Sequence, residues 1–117
     1  MSGATSYHAG RCAEDNVAQL YRSAGQKVVA QRWRGQAGEI DLIALDGEEV
    51  IFIEVKKSRT HAAAAERLSA WQMQRIWQTA SEFLGTVPSG QNTASRFDVA
   101  LVDAVGRIEI LQNAFAA

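Results

Sequence analysis

One cysteine and one proline among 117 residues close off several classes of protein at once. With Cys12 alone, no disulfide can form within the chain, so a reducing compartment is the default. The single proline, Pro88, falls in GTVPSGQNTAS, the one loop-like stretch of any length. No apolar run approaches the ~20 residues of a membrane span. Met1 to Gly10 hold no apolar run long enough for a signal peptide. The expectation is a bacterial-type cytoplasmic protein. Basic charge is not in surplus either. Twelve Lys and Arg face thirteen Asp and Glu, for a net charge of -1, which counts against a strong non-specific nucleic-acid binder.

What is present is ordinary in amount and unusual in arrangement. At 47% hydrophobic residues the chain suits one domain with one core, with residues 1–9 expected as a flexible tail. Arg22, Lys27, Arg32 and Arg34 lie in a segment without acid. Lys56, Lys57, Arg59, Arg67 and Arg75 are accompanied only by Glu66. Between these blocks stand Glu39, Asp41, Asp46, Glu48, Glu49 and Glu54. An acidic centre between basic flanks suits a metal site acting on a polyanion; mixed surface charge is the plainer reading.

Ala13, Val17, Leu20, Tyr21 and Ala24 recur at helical spacing, and Gly25 supplies a stop, so a helix is expected from about Gly10 to Ala24. QKVVAQRWR reads as a strand. GEIDLIALDGEEVIFIEVKKSR reads as a hairpin turning at Asp46-Gly47. Met73, Ile76, Trp77, Ala80, Phe83 and Leu84 trace the apolar face of a second helix, roughly Ala64 to Leu84. RFDVALVD and RIEIL are two further strands. The order α-β-β-β-α-β-β fits an α/β fold with one mixed sheet flanked by helices.

The hairpin raises a question, because Glu39, Asp41, Glu54 and Lys56 interrupt strands that are otherwise apolar. Alternation puts Glu39 and Asp41 on one face of their strand, opposite Ile40 and Leu42, and puts Glu54 and Lys56 together on the next. Opposed residues of an antiparallel pair share a constant index sum and point to the same side. A two-residue loop at Asp46-Gly47 opposes Glu39 to Glu54. A four-residue loop from Asp46 to Glu49 opposes Asp41 to Glu54 and Glu39 to Lys56. Either gathers all four groups on one face. Opposed carboxylates in a half-buried sheet repel, and a desolvated charge needs a partner. A divalent cation supplies one, and an oxygen-rich site suits Mg²⁺ or Mn²⁺. Lys56 would then stabilise developing negative charge or orient a water. The alternative is a solvent-facing sheet with cross-strand Glu-Lys pairs.

These residues resemble the central motif of the PD-(D/E)xK nuclease superfamily, and more closely the small YraN-like bacterial family related to Holliday junction resolvases. GRCAEDNVAQLYRSAG is similar to that family's first helix, RFDVALVD to its late strand, and the final NAF also fits. The resemblance implies a restriction-endonuclease-like core and a metal-dependent endonuclease, a hydrolase of phosphodiester bonds in DNA, acting on branched or repair intermediates. It implies Asp41 and Glu54 as ligands of Mg²⁺ or Mn²⁺, Lys56 as the catalytic lysine, and Glu39 as a further site residue in contact with Lys56 or behind the ligands. Glu14 matches an acid that completes the metal site in resolvase-like relatives; a first-turn acid favourable to the helix dipole is the other reading. Resolvase-like relatives are commonly homodimers.

For nucleic-acid contact the candidates are Arg32 and Arg34 on their strand, Lys57 and Arg59 after the motif, and Gln72 with Arg75 on the polar face of the second helix. The family often carries a lysine near position 72, so Gln72 is a departure. Trp71 lies off the apolar helix face and is the better stacking candidate of three tryptophans; Trp77 belongs to the core. Asp98 and Asp103 lack a paired acid and read as structural. The alternative function, from a different class, is a non-catalytic nucleic-acid-binding or partner-binding module on the same fold.

Overall fold

A computed structural model describes residues 2–114. Helix α1 (Ser2–Ser23) is followed by strands β1 (Lys27–Arg34), β2 (Glu39–Asp46) and β3 (Glu49–Lys57). A short helix α2 (His61–Ala65) and the longer α3 (Ala70–Leu84) lead to β4 (Ser95–Val102) and β5 (Ile108–Leu111). The five strands form one sheet in the order β1-β2-β3-β4-β5. All neighbours are antiparallel except β3 and β4, which run parallel because α2 and α3 carry the chain back between them. This is a mixed α/β sheet flanked by helices, a restriction-endonuclease-like core. Among the described residues no helix is long and apolar enough to cross a membrane.

Each face of the sheet has its own core. Ala13, Val17, Ala18 and Tyr21 of α1 pack on Leu42, Ala44, Ile51, Ile53, Ala100 and Val102. On the other face Ile76, Ala80 and Leu84 of α3 pack on Ile43, Val50, Phe52 and Phe97. There Phe52 stacks on Phe97 with centroids 5.2 Å apart and meets Phe83 edge-on at 5.9 Å. Trp33 meets Phe83 at 5.4 Å, and Trp77 lies 4.2 Å from Phe97. Two of the three tryptophans are therefore part of this core. Leu20, expected on the packed face of α1, is 43% exposed. Ala18 is buried in its stead, one residue round from Val17.

Three local expectations need correction. Helix α1 starts at Ser2, eight residues before Gly10. The second helix does not run unbroken from Ala64. It divides at Ser69, whose hydroxyl accepts the Gln72 N–H and caps α3, while Thr60 caps α2 through the Ala63 N–H. Ser69-Ala-Trp-Gln72 has the spacing of a capping box. Alternation also breaks in β2: Ile40 packs in the α3-side cluster and Leu42 in the α1-side cluster. Opposite the break, between partners Gln31 and Trp33, Arg32 has φ +54°, a left-handed conformation that twists the edge strand.

Candidate active site

The hairpin register settles which acids meet. Leu45 pairs with Val50 and Asp46 with Glu49, so the two-residue connection is Gly47-Glu48. Gly47 has φ +62°, the left-handed geometry a tight hairpin asks of its first central residue. The same index sum, carried from Leu42 opposite Ile53, brings Asp41 to Glu54. Asp41 Oδ2 accepts the Val55 N–H at 2.8 Å, and Glu54 Oε1 accepts the Asp41 N–H at 3.4 Å. The two carboxyl groups lie near enough to perturb each other's ionisation.

Burial drives the electrostatics of this pair. Glu54 is 6% exposed. Desolvation raises its pKa well above the ordinary carboxylate range, and the neighbouring Asp41 charge raises it further against the pull of Lys56. Asp41 is raised too, by burial first; the Val55 N–H works against this and the charge of Glu14 adds to it. The pair holds a proton more firmly than two separate surface acids would.

Lys56 follows Glu54 on the α3 side. With its carboxamide oxygen turned to the lysine, Gln72 accepts from Lys56 Nζ at 2.7 Å and donates to the Arg67 carbonyl at 3.1 Å. Arg67 in turn donates to the Lys57 carbonyl at 3.1 Å. The start of α3 is thus tied to the end of β3 through the ammonium group. Beside Glu54 and Gln72 opens a cleft of about 310 Å³, walled also by Gly38, Glu39, Trp71, Arg75, Ile76 and Thr79.

With this geometry in view, the relatives are informative. Residues 13–102 match the Uncharacterised protein family UPF0102. The chain belongs to this family. A UPF0102 protein of Cereibacter sphaeroides strain KD131 is 68% identical over 117 residues, covering all of both chains. One of Ruegeria pomeroyi is 54% identical over 113 residues, 97% of this chain and 92% of the relative. One of Roseobacter denitrificans is 50% identical over 115 residues, 98% and 89% of the two chains.

The other sequence candidates of this UPF0102 chain are placed as follows. Glu14 holds Arg32 in a two-pronged ion pair, with Nε–Oε1 at 3.0 Å and Nη2–Oε2 at 3.3 Å. It is near enough to act on Asp41 electrostatically, yet among the described residues no group of three or more His, Cys, Asp or Glu is gathered as a metal cage. Glu39 stands on the cleft wall with Arg34 Nη2 3.8 Å away. Arg75 reaches the cleft and lies over the Trp71 ring, 4.9 Å from its centroid. Lys57 and Arg59 lie at the end of β3 and just beyond it, where the Arg59 carbonyl accepts the Ala104 N–H. In the NAF motif, the Asn113 N–H donates to Asp98; Phe115 lies outside the described residues.

Two further acids support the fold around the site, and the sequence singles out only Asp98 of the two. Glu82 accepts the N–H groups of Gln36 and Ala37 at 2.7 and 2.9 Å, which holds its carboxyl below the usual range. It clamps the turn that delivers Glu39 and Asp41. A Cβ on Gly35 would come 2.7 Å from Glu82 Oε1, so the two glycines of Gly-Gln-Ala-Gly were the available clue. Asp98, fully buried, accepts from Tyr21 at 2.7 Å, from Arg96 at 3.1 Å and from the Asn113 N–H at 3.0 Å. It is the structural residue expected of an unpaired acid, on the face away from the cleft.

Proposed function

We propose that this UPF0102 chain is a divalent-cation-dependent nuclease that hydrolyses phosphodiester bonds in DNA. The observation that supports it best is the Asp41–Glu54 pair: two carboxyl groups forced together in a desolvated place beside a lysine and an open cleft. Surface acids avoid that arrangement, because each charge raises the cost of the other.

The donor set suits a hard cation such as Mg²⁺ or Mn²⁺. The oxygens come from carboxylates, which burial and mutual repulsion make costly to ionise without a cation beside them. Asp41 and Glu54 would hold the ion, which when bound supplies Lewis-acid activation of the phosphate and acidifies water. The chain's own residues do the rest. The Val55 and Asp41 N–H groups fix the carboxylate oxygens before any ligand arrives. Lys56, held by Gln72, offers its ammonium to negative charge developing on the phosphate. Arg75 on the cleft wall neutralises a flanking phosphate.

Testing this takes labelled single-stranded, duplex, flap and four-way-junction DNA, with RNA alongside, each with Mg²⁺ and Mn²⁺. Wild type is expected to cleave at least one DNA substrate. Lys56→Met, which keeps much of the side-chain stem, is expected to lose about 10²- to 10³-fold in rate. Lys27→Met, at the far end of the edge strand, serves as the control. Unchanged cleavage by Lys56→Met would remove the lysine from the mechanism. The second reading, a binding module without catalysis, is favoured by one observation: Arg32 occupies Glu14, leaving two carboxyl groups rather than three at the site. Wild type that binds DNA and cleaves nothing on the panel would select it.

A further inference from the structure

Trp71 is 67% exposed in the first turn of α3, while Trp33 and Trp77 are packed against Phe83 and Phe97. An indole left in water forgoes the burial its size would otherwise bring. Its position is specific: it lines the same cleft as Glu54 and is the immediate neighbour of Gln72, which grips Lys56. Four residues on, Arg75 lays its guanidinium over the ring, 4.9 Å from the centroid. This i, i+4 cation–π contact restrains the ring and adds positive charge to the platform.

From this juxtaposition we propose that Trp71 and Arg75 form a stacking subsite for one unpaired nucleobase, with the attached phosphate directed to Glu54 and Lys56. The inference rests on the nuclease reading and narrows its substrate to DNA with an unpaired nucleotide at the cut: a single strand or a flap. A base inside a continuous duplex has both faces covered by its neighbours and cannot stack on the indole. The cleft, about 310 Å³, matches a nucleotide-sized group rather than a duplex. With a net charge of -1 the chain has little general attraction for phosphate, so stacking must supply a large share of the affinity.

The test is a fluorescence-anisotropy titration of a labelled oligothymidylate and of a blunt duplex of equal length. It uses the full chain with Ca²⁺ replacing Mg²⁺, and wild type is compared with Trp71→Ala and Trp71→Phe. Wild type is expected to prefer the single strand. Trp71→Ala is expected to lose roughly tenfold to hundredfold in single-strand affinity, with little change on duplex, and Trp71→Phe to recover most of the loss. Quenching of indole fluorescence on single-strand binding should vanish in Trp71→Ala. Equal affinity of wild type and Trp71→Ala for the single strand, or an equal loss on both probes, overturns the subsite. If wild type still cleaves DNA in that case, the nuclease reading stands without it. Wild type that binds neither probe and cleaves nothing on the DNA panel with Mg²⁺ or Mn²⁺ overturns both.

Discussion

Asp41 and Glu54 are joined crosswise: the Asp41 carboxylate takes the N–H of the residue after Glu54, and the Glu54 carboxylate takes the N–H of Asp41. Two acids fixed in this way cannot turn from each other as pH rises. That constraint makes their contribution to stability measurable.

In the unfolded chain a glutamate titrates near 4.5, and in the fold Glu54 titrates higher. Below the ordinary value both states carry the proton, and the pair imposes no penalty. Above it the folded state binds more protons than the unfolded state, so stability falls with rising pH through the raised pKa. Metal-free protein in urea is therefore expected to lose stability from about pH 5 up to about pH 9. Glu54→Gln should flatten that slope and be the more stable protein at the upper end by several kcal/mol. Glu82 and Asp103, both lowered, act in the opposite sense: their contribution is present above the ordinary carboxylate range and lost on acidification. Parallel curves for wild type and Glu54→Gln would mean the pair carries no electrostatic penalty.

Gln72 joins the Arg67 carbonyl to Lys56 Nζ. Gln72→Ala releases the ammonium without removing it. The expected effect is a fall in cleavage rate of about 10- to 100-fold, typical of a partner that orients a functional group. KM should move much less, and the melting shift caused by Mn²⁺ should be unchanged. A rise in KM alone would make Gln72 a substrate contact instead.

Tyr21, Asp98 and Arg96 provide the structural contrast. Burial and the Asp98 carboxylate push the Tyr21 hydroxyl far above the usual tyrosine range, so it stays a donor. Tyr21→Phe should cost about 1.5–3 kcal/mol, as for a hydrogen bond to a charged group. Asp98→Ala should cost about 3–5 kcal/mol, because it leaves the Tyr21 hydroxyl and the Asn113 N–H unpartnered and Arg96 with Glu49 alone. Mn²⁺ should raise the melting temperature of Tyr21→Phe by as much as it raises that of wild type. A lost metal response in that variant would couple the two faces of the sheet in a way the present contacts do not explain.

Much of this arrangement is legible in the residues themselves. Parity alone requires that Asp41 and Glu54 share a face, whichever of the two hairpin registers is adopted. Choosing between those registers took the turn, where Gly47 rather than Asp46 takes the first central position. Strand number and order follow from apolar runs and turn residues. The division of the second helix was written in Ser69 and Gln72, but four alanines and a continuous apolar stripe outweighed the cap. Ile40 escaped alternation because the twist at Arg32 is a tertiary property of the edge strand. Glu82 was invisible to a motif reading for a different reason. Its partners are backbone amides more than 40 residues away, and backbone donors have no residue signature.

Isothermal titration of Mn²⁺ reads out whether Asp41 and Glu54 form a cation site. Wild type and Asp41→Asn are titrated in buffers of different ionisation enthalpy. Saturable binding to wild type is expected, with an apparent enthalpy that varies with the buffer because the cation displaces a proton from the pair. That signal should be lost in Asp41→Asn, with cooperative unfolding retained. Equal binding by the two proteins, or none by wild type, would contradict the cation site.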